Sequence, residues 1–106
     1  MKIAFIGGGN MGEAMLSAIL DKGLSRPPPI SVSDTAEARR QYLKQKYGVA
    51  VMSSNRQAVD RGDVVVLAIK PQNLVEVMAE LNSRLTQKQL VLSIIAGQEL
   101  IPFAVG

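Results

Sequence analysis

The stretch Asp63-Val-Val-Val-Leu-Ala-Ile69 constrains this chain more than any other. Six consecutive apolar residues follow the aspartate, so a strand built from them has no polar face to offer water. Such a strand must be covered on both sides, as in the interior of a parallel sheet with helices above and below. The rest of the chain supplies those helices. Strands are expected at 2–6, 30–33, 49–52, 63–69 and 89–97, the last ended by Gly97. Between them, 10–23 places Met11, Ala14, Met15, Ala18 and Ile19 at helical spacing, with Gly23 as terminator. A second helix is expected over 36–46, capped by Asp34 or Thr35, and a short one within 53–62. Pro71 suits a first helical turn, after which Leu74, Val75, Met78, Leu81 and Leu85 form an apolar stripe. The prolines of "LSRPPP" at 24–29 favour an extended surface spacer.

Strands alternating with helices of this length imply parallel βαβ units with right-handed crossovers. The expected architecture is α/β: a Rossmann-like, doubly wound parallel sheet of strand order 3-2-1-4-5. One domain accounts for all 106 residues.

Composition narrows the chemistry. The sequence has no cysteine and no histidine. Disulfides, thiolate catalysis, histidine acid–base work and the common zinc sites are therefore excluded, and no metal site is expected. The net charge of +3 is mild, and the basic residues are scattered apart from Arg39-Arg40. With two tyrosines and two phenylalanines as the only aromatics, nucleic-acid binding has little support. No apolar run reaches the length of about 18–20 residues that a membrane span needs, and the N-terminus lacks a signal-peptide pattern. A cytoplasmic address without membrane contact is the expectation.

The loop after the first strand reads Gly7-Gly8-Gly9-Asn10-Met11-Gly12. Its G-x-G-x-x-G spacing gives each glycine a job. Gly7 permits the tight strand-to-helix turn, Gly9 lets a pyrophosphate approach the backbone, and Gly12 lets the helix lie close to the sheet. The helix N-terminus adds unpaired N–H groups and partial positive charge. Asp34 ends the second strand 22 residues after Gly12, where a carboxylate can accept hydrogen bonds from ribose hydroxyls and would repel a 2′-phosphate. An aspartate at this point also serves as a helix cap. Arg39 and Arg40 form a solvated face or pair with a 2′-phosphate. Lys70 orients an anionic substrate or is a solvated charge at a strand exit. Asn55 is a helix cap on its own terms, and Ser93 a satisfied core hydroxyl.

Together "FIGGGNMG", "VVVLAIKPQ" at 64–72 and "VLSIIAG" at 91–97 resemble the pyrroline-5-carboxylate reductase family over essentially the whole chain. The resemblance implies hydride transfer from NADPH or NADH to the C=N bond of 1-pyrroline-5-carboxylate, giving L-proline. It further implies that these residues are the cofactor-binding domain alone. A C-terminal helical domain, absent here, would form the homo-oligomer and supply most of the imine site. The chain by itself is then expected to bind dinucleotide weakly and to catalyse nothing. By resemblance the cofactor contacts fall on Ile6, Gly7, Gly8, Gly9, Asn10 and Met11, with Gly12 packing the helix. They continue at Asp34, at Asn55 on the adenosine side, at Ala68, Ile69, Lys70 and Pro71, and at Ile95, Ala96 and Gly97. Asp34 departs from the family, which often has serine, threonine or asparagine there, so it leans toward NADH while the family leans toward NADPH. The glycine loop alone is shared with β-hydroxyacid dehydrogenases and F420-dependent NADP reductases. A nucleotide-sensing module without chemistry would carry it too.

Overall fold

The computed structural model describes residues 2–23, 30–95 and 99–102. In chain order these form β1 (Ile3–Ile6), α1 (Asn10–Asp21), β2 (Ile30–Ser33), α2 (Glu37–Tyr47), β3 (Ala50–Met52) and α3 (Asn55–Asp60). β4 (Val64–Leu67), a 3-10 turn at Pro71–Asn73, α4 (Leu74–Leu81), β5 (Leu90–Ile95) and β6 (Glu99–Pro102) follow. The spacer expected at 24–29 and the strand end expected at Gly97 lie outside the described residues.

The sheet order is β3-β2-β1-β4-β5-β6. The first five strands pair in parallel, in the expected 3-2-1-4-5 order. β6 is an addition. It runs antiparallel to β5, with Leu92 opposite Pro102. A four-residue run ending in proline carries almost no strand signal, because proline cannot donate to a ladder and is confined to edges and ends.

Alternation along the central strands sorts the core into two layers. Ile3 and Phe5 of β1, with Ile30 and Val32 of β2 and Val66 of β4, face α1 and α2 through Leu16, Ile19 and Leu43. Ala4 and Ile6, with Val65 and Leu67, face α3 and α4 through Ala58, Val59 and Leu81. The 64–67 run is therefore buried from both sides, as its composition demands.

Three expectations about helices need correction. The buried face of α1 is Gly12, Leu16 and Ile19, while Met11 is 36% exposed. Gly12 sets that rotation. A Cβ on it would lie 3.0 Å from the Ala68 side chain, so this position must face the sheet. In α4, Val75 is 81% exposed, and Val77 packs against the core in its place. The 3-10 turn delays α4 to Leu74, and the helix stops at Leu81, although Leu85 beyond it is still buried. Finally, neither Asp34 nor Thr35 caps α2. Ala36 does, without a side-chain bond, while the Asp34 carboxylate bridges the Ala36 N–H and the Gly8 N–H.

The two faces of α4 make unequal demands. Leu81→Ala should cost about 2–5 kcal/mol, because it empties a fully buried site. Val75→Lys should stay within about 0.5 kcal/mol of the parent. Urea denaturation of both variants checks this, and comparable losses would contradict the assigned face.

Candidate functional site

In a doubly wound sheet, the chain leaves neighbouring strands in opposite directions at one place, opening a crevice beyond their carboxyl ends. Here that place lies between β1 and β4. Backbone bonds brace its rim. Gly7 N–H donates to the Ser33 carbonyl at 2.9 Å, Ala68 N–H to the Ile6 carbonyl at 2.8 Å, and Asp34 N–H to the Met52 carbonyl at 3.1 Å. Gly7 has φ +99°, and a Cβ on it would collide with the Ala68 carbonyl, so this turn requires glycine.

The crevice opens into a cleft of about 700 Å³. It is lined by Gly7, Gly8 and Gly9 after β1, by Asp34 after β2 and Asn55 after β3, and by Ala68, Ile69 and Lys70 after β4. Eight expected residues thus meet around one space. Ile6 is fully buried beneath it, and Gly12 packs under the loop. Asn10 and Met11, exposed in the first turn of α1, are not part of the lining. Pro71 opens the 3-10 turn and Ile95 ends β5. Ala96 and Gly97 lie outside the described residues.

Sequence reasoning missed Ser33, Thr35, Asn73, Glu76, Val77 and Glu80, which also line the cleft. The last four had a signal. Their spacing of three, one and three residues puts them on one face of a helix that follows Lys70. Among the described residues, the charged lining is Asp34, Glu76 and Glu80 against Lys70.

Gly9 holds the N-cap position of α1, so no side chain competes for the first amides of that helix. A Cβ on Gly9 would meet nothing within 4 Å. Asp34 uses both carboxylate oxygens: Oδ2 accepts the Gly8 N–H at 2.9 Å, and Oδ1 accepts the Ala36 N–H at 2.8 Å. Two held oxygens still keep unshared lone pairs, so the group can accept further hydrogen bonds.

Asn55 is not a helix cap. Ser54 takes that role, its Oγ accepting the Gln57 N–H at 3.3 Å. The Asn55 amide instead accepts from Ser33 Oγ at 2.6 Å and donates to Glu80 Oε1 at 2.9 Å. A carboxylate only accepts, so Glu80 fixes which end of the amide carries N–H.

The arginine pair does not form a solvated face either. Arg40 donates to the Asp34 carbonyl at 2.8 Å. Arg39 donates through Nε to the Gly8 carbonyl and through a terminal nitrogen to Glu13 at 2.6 Å. Glu13 also accepts from the Tyr47 and Tyr42 hydroxyls at 2.6 and 2.8 Å, with Lys46 at 3.4 Å. The Tyr47 bond is the largest influence on this carboxyl. Together with Tyr42 and Arg39 it outweighs partial burial and lowers the pKa from 4.5 to about 2.

A Rossmann-like α/β unit with a glycine-lined crevice at its switch point is the class that fold and site define. The chain belongs to the family described as NADP oxidoreductase coenzyme F420-dependent, whose profile matches residues 2–97. It is similar to the pyrroline-5-carboxylate reductase of Vibrio alginolyticus, 43% identical over 98 residues, covering 91% of this chain and 35% of that protein. The Methanosarcina acetivorans pyrroline-5-carboxylate reductase is 38% identical over 99 residues, covering 93% of this chain and 37% of that protein. The solved pyrroline-5-carboxylate reductase of Coxiella burnetii superposes with a TM-score of 0.83 at 37% identity, over 91% of this chain and 36% of that one. The chain therefore spans about a third of the length of these relatives.

The Glu13 cluster predicts a pH dependence. An unfolded chain binds more protons than the folded one between pH 4.5 and about 2, so stability falls as pH drops through that window. Glu13→Gln should be less stable than the parent at pH 7 and should show a shallower loss across the window. Thermal melts over a pH series measure both, and parallel acid curves would contradict the assignment.

Proposed function

We propose that this chain is the dinucleotide-binding unit of a pyrroline-5-carboxylate reductase. The observation that carries the proposal is the cleft at the β1–β4 switch point, lined by the open backbone of Gly9 at the uncapped start of α1 and by Asp34. Similarity to three pyrroline-5-carboxylate reductases supports the choice of reaction.

The residues fit an NAD(P)H molecule in a definite order. The amides of Gly9, Asn10 and Met11 hold the pyrophosphate at the positive end of α1. Gly7, Gly8 and Gly12 keep side chains out of the turn, and Ile6 anchors it from below. Asp34 accepts from the adenosine ribose hydroxyls, with Asn55 beside it. Ala68, Ile69, Lys70 and Pro71 border the nicotinamide end, with Lys70 a solvated cation there, and the family resemblance assigns Ile95, Ala96 and Gly97 to the same end. The bound dinucleotide supplies a hydride for the imine carbon of 1-pyrroline-5-carboxylate, giving L-proline once the ring nitrogen carries a proton. This chain's share is alignment of the donor, which needs neither histidine nor cysteine. Under this proposal the imine and oligomer contacts belong to chain beyond these 106 residues, and the protein is a cytoplasmic homo-oligomer. No helix among the described residues is long and apolar enough to cross a membrane.

Asp34 favours NADH. A carboxylate within about 4 Å of a 2′-phosphate charge costs up to about 4 kcal/mol at an effective dielectric of 20. Asp34→Ser should therefore raise NADPH affinity relative to NADH by about tenfold or more, read from calorimetric Kd values for both cofactors. An unchanged ratio would show that Asp34 only braces the loop. For the reaction, NADH oxidation by the full-length protein is expected with 1-pyrroline-5-carboxylate and not with β-hydroxyacids. The reverse preference would contradict the proposal.

A further inference from the structure

The two peptide units flanking Gly8 are each held by a side chain from the β2–α2 region. Asp34 Oδ2 accepts the Gly8 N–H at 2.9 Å, and Arg39 Nε donates to the Gly8 carbonyl. Arg39 is itself fixed. Its other donor meets Glu13 at 2.6 Å, and its guanidinium lies 5.0 Å from the centre of the Tyr42 ring. Glu13 is tied in turn by the hydroxyls of Tyr42 and Tyr47. Neither Arg39 nor Glu13 lines the cleft.

Three consecutive glycines are the most costly backbone to order, since glycine loses more conformational freedom than any other residue. A Cβ on Gly8 would lie 2.7 Å from Leu43 Cδ1 and 3.2 Å from Asp34 Oδ2, so a stiffer residue there would have to displace the Leu43 side chain and crowd the Asp34 carboxylate. The peptide between Gly8 and Gly9 is planar and trans, so holding the Gly8 carbonyl also fixes the direction of the Gly9 N–H. We propose that Arg39, held by Glu13, is a positioning residue that pre-orders the Gly8–Gly9 peptide for a pyrophosphate it never touches. The proposal rests on the dinucleotide reading above. It assigns to α2 a part in phosphate binding, where sequence reasoning offered only a solvated face or a 2′-phosphate partner.

The test separates loop order from general stability by using two ligands. NADH engages the glycine loop, whereas adenosine carries no phosphate and engages only the Asp34 and Asn55 side. Calorimetry with NADH and chemical-shift titration with adenosine are carried out on the parent chain and on Arg39→Met, Arg39→Lys and Glu13→Gln. Arg39→Met should weaken NADH about tenfold and leave adenosine within about twofold. Arg39→Lys keeps the cation but cannot bridge both acceptors, so it should fold and lie between parent and Arg39→Met. Glu13→Gln should weaken NADH about threefold, again without moving adenosine. Unchanged NADH affinity in Arg39→Lys and Glu13→Gln overturns the proposal, and so does an equal loss for both ligands. A parent chain that binds neither ligand overturns the dinucleotide reading, and this proposal with it.

Discussion

The close contact between Gly12 on α1 and Ala68 at the exit of β4 organises the rest of the molecule. A Cβ on Gly12 would stand 3.0 Å from both the Ala68 Cβ and the Gly7 carbonyl, so glycine lets the helix lie this near the sheet without pushing either away. With Gly12 turned inward, helical geometry turns Leu16 and Ile19 inward as well, and they fill the layer against Phe5 and Val32. The same rotation carries Glu13 sideways to α2, where Arg39, Tyr42 and Tyr47 meet it. It also aims the start of α1 at the crevice. The fold, the Glu13–Arg39 cluster and the cleft all depend on this close approach.

Charge at the cleft is divided by function. The helix start offers backbone dipoles that favour an anion, while the carboxylates of Asp34, Glu76 and Glu80 also line the cleft. Under the proposed function the amides take the pyrophosphate, and the carboxylates discourage further negative charge on the ligand. The arginines that could have offset those carboxylates are occupied by Gly8, Glu13 and the Asp34 carbonyl. Under the proposed function Asp34 leans toward NADH, whereas the family's description names NADP.

Much of this was legible in the sequence, for physical reasons. The 63–69 run could be satisfied only in a sheet interior, and the five parallel strands follow from it. The glycine spacing located the turn, and Asp34 the end of β2. What escaped were features whose signal is relational. The face of α1 depends on which glycine touches the sheet, and apolar spacing alone drew the stripe through Met11 rather than Leu16. The sequence offered cofactor contacts or caps for Asp34 and Asn55 and a solvated or 2′-phosphate role for Arg39, but not their bonds to Gly8, Glu13, Ser33 and Glu80, which are 22 to 31 residues away. β6 left little trace because its short run ends in proline.

The central claim is that the Gly7–Gly12 turn holds the pyrophosphate of a dinucleotide. Amide chemical shifts of the isotopically labelled chain, followed during titration with NADH, address it residue by residue. The account predicts that the largest shifts fall on Gly9, Asn10 and Met11, with a second group at Asp34 and Asn55. Saturable binding that leaves the three loop amides unmoved would contradict it.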